Sequence, residues 1–219
     1  MNMIDNRHLP EIQRYIESKV PRFDIINYLI EKNNFVNYLE IGVFMGDNIR
    51  KIKIEHKDGV DTGSEGFLIP EVNYPVTSDD FFNFIKNEDI KYDIIFIDGL
   101  HYSYQVDKDI ENSLKHIVDN GFILVHDCNP LYYDMQLIPR QTIVWNGDVW
   151  KSIIRLKTTR NDLTISVVDT DMGIGIIRKQ SSHKLIESYD TIINNWEYFD
   201  TNRKRLLNLI TTMEFFNSY

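Results

Sequence analysis

A single cysteine, Cys128, stands in the 219 residues, so the chain cannot close an internal disulfide and nothing calls for an oxidising compartment. Basic residues are also short: 24 Lys and Arg face 33 Asp and Glu, a net charge of −9. That balance argues against a sequence-independent grip on nucleic acid or on an anionic membrane. No apolar run approaches the roughly 20 residues needed to cross a bilayer, and the start, "MNMIDNRHLPEIQRYIE", is polar and acidic where a secretory signal is cationic and then apolar. We therefore expect a cytoplasmic protein. Repeats and low-complexity segments are lacking too, and 219 residues suit one substantial core better than two full domains.

What is present is a change of rhythm along the chain. Two short helical patterns, "EIQRYIESKV" and "DIINYLIEK", are parted by Pro21 and suggest an N-terminal cap over 1–35. From Val36, short apolar runs alternate with amphipathic segments, the pattern of a parallel sheet covered by helices. Expected strands are 37–43, 57–62, 71–77 (weakened by Pro75), 92–98 and 121–127. Between the last two, Val106, Ile110, Leu114 and Ile117 share one helical face, and Asn120 and Gly121 suit the end of that helix. The strands "LTISVVD" and "GIGIIRK" are joined by only "TDM", which makes them antiparallel neighbours. A core over 36–178 and a helical tail over 179–219 complete the division, with Arg203, Lys204 and Arg205 as a local basic patch beside Leu206, Leu207 and Ile210.

Ligands of an open α/β sheet bind beyond the carboxyl ends of the strands. The chain places chemistry there repeatedly. Gly42 and Gly46 in "YLEIGVFMGD" permit a tight turn and close approach of a ligand, and Glu40 is an acid inside an apolar strand, costly unless paired. Asp61 ends the next strand about 20 residues on, where an acid can accept ribose hydroxyls. Ser78 suits a helix N-cap, and a nucleoside base could also sit there. "YDIIFIDGLHYSYQ" ends its strand on Asp98 with His101 three residues later, and "GFILVHD" ends on His126 and Asp127.

Taken together, "YLEIGVFMGD", "GVDT", "TSDDFF", "YDIIFIDGLHYSYQVDKDI", "GFILVHD" and "DMGIGII" resemble the class I S-adenosylmethionine-dependent methyltransferases, specifically the macrocin-type sugar O-methyltransferases, over residues 36–178. The resemblance implies a Rossmann-like α/β fold: a seven-stranded, mostly parallel sheet with a terminal antiparallel hairpin in a three-layer sandwich. It implies that Glu40, Gly42 and Gly46 surround the methionine part of the cofactor, that Asp61 holds the ribose, and that Ser78 and Asp79 lie near the adenine, with Asp98 also close to the cofactor. It further implies Asp98 and the pair His126–Asp127 as ligands of a divalent metal, Mg²⁺ or Mn²⁺, and His101 as general base beside Asp98.

One departure bears on the metal. The first member of the pair is His126 where relatives carry an acid, so the site loses a charge and a hard oxygen ligand. A softer ion such as Mn²⁺, Mg²⁺ with extra waters on Asp98 and Asp127, and no metal at all are the three alternatives. A neutral imidazole near pH 7 would suit proton removal from an alcohol, whereas a helix cap near Tyr104 is the plainer use of His101. Tyr104, Arg140 and Trp145 are the candidate acceptor contacts; Trp145 reads equally as a stacking wall or as a core side chain. Cys128 reads as a small buried thiol.

The expected activity is O-methylation of a sugar, nucleotide-linked sugar or glycan precursor. Its alternatives are another small acceptor, phosphorus-linked or amine, and a non-catalytic nucleoside-binding module. The glycine turn lacks the G-x-G-x-x-G spacing of a dinucleotide fold. A homodimer through the cap or the tail is also expected.

Overall fold

In a computed structural model, residues 8–64, 66 and 68–219 are described; the first seven residues of the polar start lie outside them. Seven strands form one sheet: β1 (Asn37–Ile41), β2 (His56–Val60), β3 (Tyr92–Ile97), β4 (Ile117–Val125), β5 (Leu163–Val168), β6 (Ile174–Lys179) and β7 (Leu209–Ile210). Their order is β2-β1-β3-β4-β6-β5-β7, and only β6 runs against its neighbours. Both faces are apolar, as a sheet buried on two sides requires. On one face pack α3 (Ser78–Ile85), α4 (Ser103–His116), α5 (Trp150–Thr159), α6 (Tyr189–Ile193) and α7 (Trp196–Leu206). On the other lie α2 (Arg22–Asn33) and α8 (Thr212–Ser218). The expected three-layer α/β sandwich and its antiparallel hairpin are both present.

Three expectations are corrected. Residues 71–77 do not form a strand: Pro75 interrupts the run, and only a single parallel bridge joins Tyr74 to Val60. The seventh strand is instead Leu209–Ile210, inside the tail read as helical, where two residues pair with Val167 and Val168 at the sheet edge. Asn120 and Gly121 do not end α4, which stops at His116; both lie within β4, close to an irregularity in its pairing with β3.

The cap helix α1 (Leu9–Glu17) buries Ile12 against Met135 and Met172, and α7 buries Phe199 and Leu206. These apolar faces are used within the chain. Two members of the basic patch are engaged within the chain: Arg203 donates to Asn129 Oδ1 (2.7 Å) and Pro130 O (2.8 Å) and pairs with Asp200, and Arg205 pairs with Glu187.

Trp150 opens α5 and is 1% exposed, with its ring 3.9 Å from that of Phe199. Trp150→Ala is expected to lower stability by roughly 3–5 kcal/mol, because the cavity cannot fully collapse. Urea denaturation checks this.

Candidate active site

Register builds the site. Val60, Ile41, Ile97 and Val125 are level partners across β2, β1, β3 and β4, so the next residues, Asp61, Gly42, Asp98 and His126, form a row along the carboxyl edge. Gly42 has φ +86, and a Cβ there would lie 2.1 Å from the Asp98 carbonyl oxygen. No other residue fits so close to the neighbouring strand end.

The charges meet just beyond that row. His126 Nδ1 lies 3.1 Å from both Asp98 Oδ1 and Asp127 Oδ2. Its Nε2 lies 2.9 Å from Arg22 Nη1 and 3.4 Å from Asp171 Oδ1, and Asp127 and Asp98 raise the ring well above its ordinary value against its burial and the nearby Arg22. Arg22, the first residue of α2, also approaches Asp98 (3.9 Å) and Asp171 (3.5 Å), while its backbone N–H donates to Asp171. Burial alone would raise Asp98, but His126 and Arg22 outweigh it and hold the carboxyl well below the usual range. Asp171, opposed in the same way, is lowered to about 2. Asp127, at φ +63, accepts from Asn146 Nδ2 at 2.9 Å.

His101 stands over this cluster with a quarter of its side chain exposed. Its Nδ1 donates to Trp145 O (2.8 Å) and lies 3.2 Å from Asp127 Oδ2, while Nε2 is 3.5 Å from Asp98 Oδ1. Burial works against the charged ring, yet Asp127 and Asp98 prevail and raise it to about 9. The two carboxylates thus favour the charged form of His101, whereas a neutral ring is the form that accepts a proton. His101 does not cap α4. That cap comes from Asp148, whose carboxylate accepts from the Ser103 backbone N–H (2.6 Å) and hydroxyl (3.0 Å). Gly147, at φ +59, lies against His101, where a Cβ would be 1.8 Å from the His101 carbonyl oxygen. The segment Trp145–Asp148 thus clamps the histidine from outside, and the Trp145 ring stacks on it at 5.4 Å. Trp150, not Trp145, is the core tryptophan.

The residues that the resemblance suggested for a cofactor have partners within the chain. Glu40 is buried and accepts from Tyr38 OH and from Asn48 Nδ2 (2.8 Å); burial raises it to about 7. Asn48 Oδ1 is buried beside it without a hydrogen-bond partner. Asp61 accepts from the backbone N–H of Val43 and Phe44 (2.9 Å each) and of Gly63 (2.8 Å), pinning the glycine turn. Gly46 closes that turn at φ +79. Thr77, not Ser78, caps α3; Ser78 and Asp79 instead take Gln105 Nε2 at 3.2 and 3.0 Å. Arg140 is tied within its own loop to Thr142 O and Ile143 O, and Tyr104 is exposed. Cys128 is fully buried, with Sγ 3.2 Å from Val125 O.

Among the described residues, the group whose ligand atoms lie together, within 4.8 Å, is Asp98, His101 and Asp127. His101 takes the place in this set that the sequence suggested for His126. Two carboxylates and an imidazole form a donor set suited to a divalent transition ion better than to Mg²⁺. Sequence reasoning missed Arg22, Tyr38, Asn48, Asn146 and Asp171. Only Tyr38 carried a signal, since it lies two residues from Glu40 and so on the same side of β1.

A family model described as a methyltransferase domain matches residues 68–128, the segment that runs from α3 through β4 and holds Asp98, His101, His126 and Asp127. No curated protein matches the chain. Among solved structures, it is similar to TomG, an O-methyltransferase of Streptomyces achromogenes in complex with SAM (14% identity, 80% of this chain and 87% of that one, TM-score 0.54). It is also similar to a Bacillus cereus O-methyltransferase in complex with SAH (16%, 78% and 86%, 0.52) and to SAH-bound PaMTH1 of Podospora anserina (14%, 82% and 91%, 0.51). The fold is the one these O-methyltransferases share.

Two outcomes follow from the geometry. Glu40 has a folded pKa raised above its unfolded value, so its contribution is fully present below about pH 4.5 and is lost as pH rises through about 7. Glu40→Gln should gain about 2–3 kcal/mol relative to the unmutated chain between pH 5 and 8, read as the difference in unfolding free energy. Gly147→Ala should cost about 1–3 kcal/mol from the left-handed backbone alone and displace His101, seen as a moved His101 ring resonance.

Proposed function

We propose that the chain is an S-adenosylmethionine-dependent O-methyltransferase acting on a hydroxyl of a sugar, nucleotide-linked sugar or glycan precursor, with His101 as general base. The observation that carries this reading is the meeting of His101 with Asp98 and Asp127 directly beside the Gly42 turn. The cofactor suits the residues around it: the Gly42 cradle admits no Cβ, and the orphaned Asn48 Oδ1 beside Glu40 offers acceptors to an ammonium group. Gly42 and Gly46 would border the methionyl part, Asp61 the ribose, and Ser78 and Asp79 the adenine. When bound, the cofactor supplies an electrophilic methyl group on a sulfonium.

The chain's own part is to hold the acceptor hydroxyl and take its proton. Asp98, Asp127 and Asp171 face Arg22 and two imidazoles, His101 and His126, that these carboxylates push toward the charged form. A cationic methyl donor beside these carboxylates draws on the same charge and returns His101 toward the neutral form that accepts a proton. Trp145 O keeps Nδ1 as the donor, so Nε2 is the atom that receives the proton. Arg22 already supplies positive charge to Asp98. A divalent ion on Asp98, His101 and Asp127 would occupy the imidazole and exclude it as base.

Trp145 and exposed Tyr104 offer aromatic faces to a sugar ring. A second reading, a flatter apolar acceptor such as a phenol, is favoured by exposed Leu100, Ile138 and Ile143 in the loops that flank His101. No helix among the described residues is long and apolar enough to cross a membrane. Free, buried Cys128 suits a reducing compartment, and we place the protein in the cytoplasm. A homodimer would be built from surfaces other than the apolar faces of α1 and α7.

Calorimetric titration of S-adenosylmethionine and S-adenosylhomocysteine into chelator-treated protein, repeated with Mg²⁺ and Mn²⁺, is the test. Saturable binding is expected without metal, followed by methyl transfer in a panel of sugar nucleotides and phenols. His101→Ala should keep cofactor affinity and lose about 10²–10⁴-fold in turnover. Absence of binding under every condition would sink the methyltransferase reading.

A further inference from the structure

The opposite edge of the sheet carries a second feature. β5 is parallel to β4, so its first residues lie away from the row at Asp98 and His126. β7 pairs only with Val167 and Val168 and leaves the start of β5 without a strand partner on that side. Beside that stretch opens a cavity of about 220 Å³, lined by Lys157, Ser166, Ser182, His183, Asn208 and Tyr219 together with the start of β5. A water molecule occupies about 30 Å³ of liquid, so the space holds roughly seven waters or one small polyatomic ion.

Its wall is rich in donors and has no acidic side chain. Lys157 makes no ion pair among the described residues, and its single hydrogen bond is a long one to Ile165 O, 3.5 Å. Burial, with nothing to oppose it, lowers the amine to about 8, which leaves it charged at neutral pH. Ser166 Oγ and Tyr219 OH share one hydrogen bond of 2.8 Å. Two hydroxyls bring two protons and that bond uses one, so the other O–H can donate to a molecule in the cavity. Ser182 Oγ and Asn208 Nδ2 already serve Leu163 O and Ile165 O. A part-buried ammonium and a spare O–H on one cavity wall call for a negatively charged acceptor.

We propose that this cavity binds a small oxyanion, a phosphate or a carboxylate, through the Lys157 ammonium and the spare proton of the Ser166–Tyr219 pair. The site is separate from the cluster at Asp98 and does not rest on the methyltransferase reading. Besides Lys157, the titratable groups on its wall are His183 and Tyr219.

The test titrates the full chain, labelled with ¹³C at the lysine ε-carbon, with sodium phosphate and separately with sodium acetate, chloride holding the ionic strength constant. Lys157→Arg, which keeps the charge, assigns the resonance and should keep binding. A saturable shift of the Lys157 signal near neutral pH, with a Kd of about 10 mM or tighter, is expected for at least one anion. Phosphate alone would name a phosphoryl ligand, and acetate alone a carboxylate. Binding should weaken at least about tenfold by pH 9.5, where the amine is neutral, and calorimetric titration of the same anions, which needs no lysine signal, should show it kept in Lys157→Arg and lost in Lys157→Met. No saturable shift with either anion, equal affinity at the two pH values, or undiminished binding in Lys157→Met would overturn the proposal. The pH series on the unmutated chain decides the matter even where Lys157→Met does not fold.

Discussion

Two carboxylates that follow neighbouring parallel strands cannot escape each other, because the strands lie only about 4.8 Å apart. Asp98 and Asp127 are such a pair, and the architecture around them is a set of responses to that constraint. Arg22 reaches in from α2, His126 places a ring proton between them, His101 closes over them, and Asn146 takes the second oxygen of Asp127. Removing any one partner strands a largely buried charge, and desolvation then opposes folding. The helical cap is part of this arrangement, for without α2 the cluster has no arginine.

The second constraint is closeness of backbone. Gly42 sits where any side chain would collide with the end of β3, and Gly147 sits where any side chain would collide with His101. The first fixes the floor of the site against the neighbouring strand. The second fixes its roof, with Asp148 stitching the same segment to α4 through Ser103. His101 thus lies in a loop, yet the Asp148 link to α4 and the Gly147 contact define its position.

Much of this was legible in the sequence because it depends on period and position. Apolar runs ending in Asp61, Asp98 and Asp127 mark the carboxyl edge, and a three-residue link between two strands forces the hairpin. Residues 71–77 misled because alternation suggests a strand but does not supply a pairing partner. Leu209–Ile210 escaped notice because two residues carry no periodicity, and the edge of β5 recruits them through tertiary contact alone. The partners of the site were hidden for a similar reason. Arg22 lies 76 positions from Asp98, and Asp171 reads as an ordinary turn residue until the hairpin brings it beside His126.

The histidine at position 126 gains its meaning from those hidden partners. An acid in its place would join Asp98, Asp127 and Asp171 to make four negative charges around Arg22 and His101, an arrangement that invites a divalent ion. With His126 between Arg22 and the carboxylates of Asp98, Asp127 and Asp171, the ring meets those acids with a proton where another acid would repel them. Arg22 and His126 therefore act together on Asp98 and Asp171, and the departure from the acidic pair of the methyltransferases that the sequence resembles is read beside the arginine that α2 supplies.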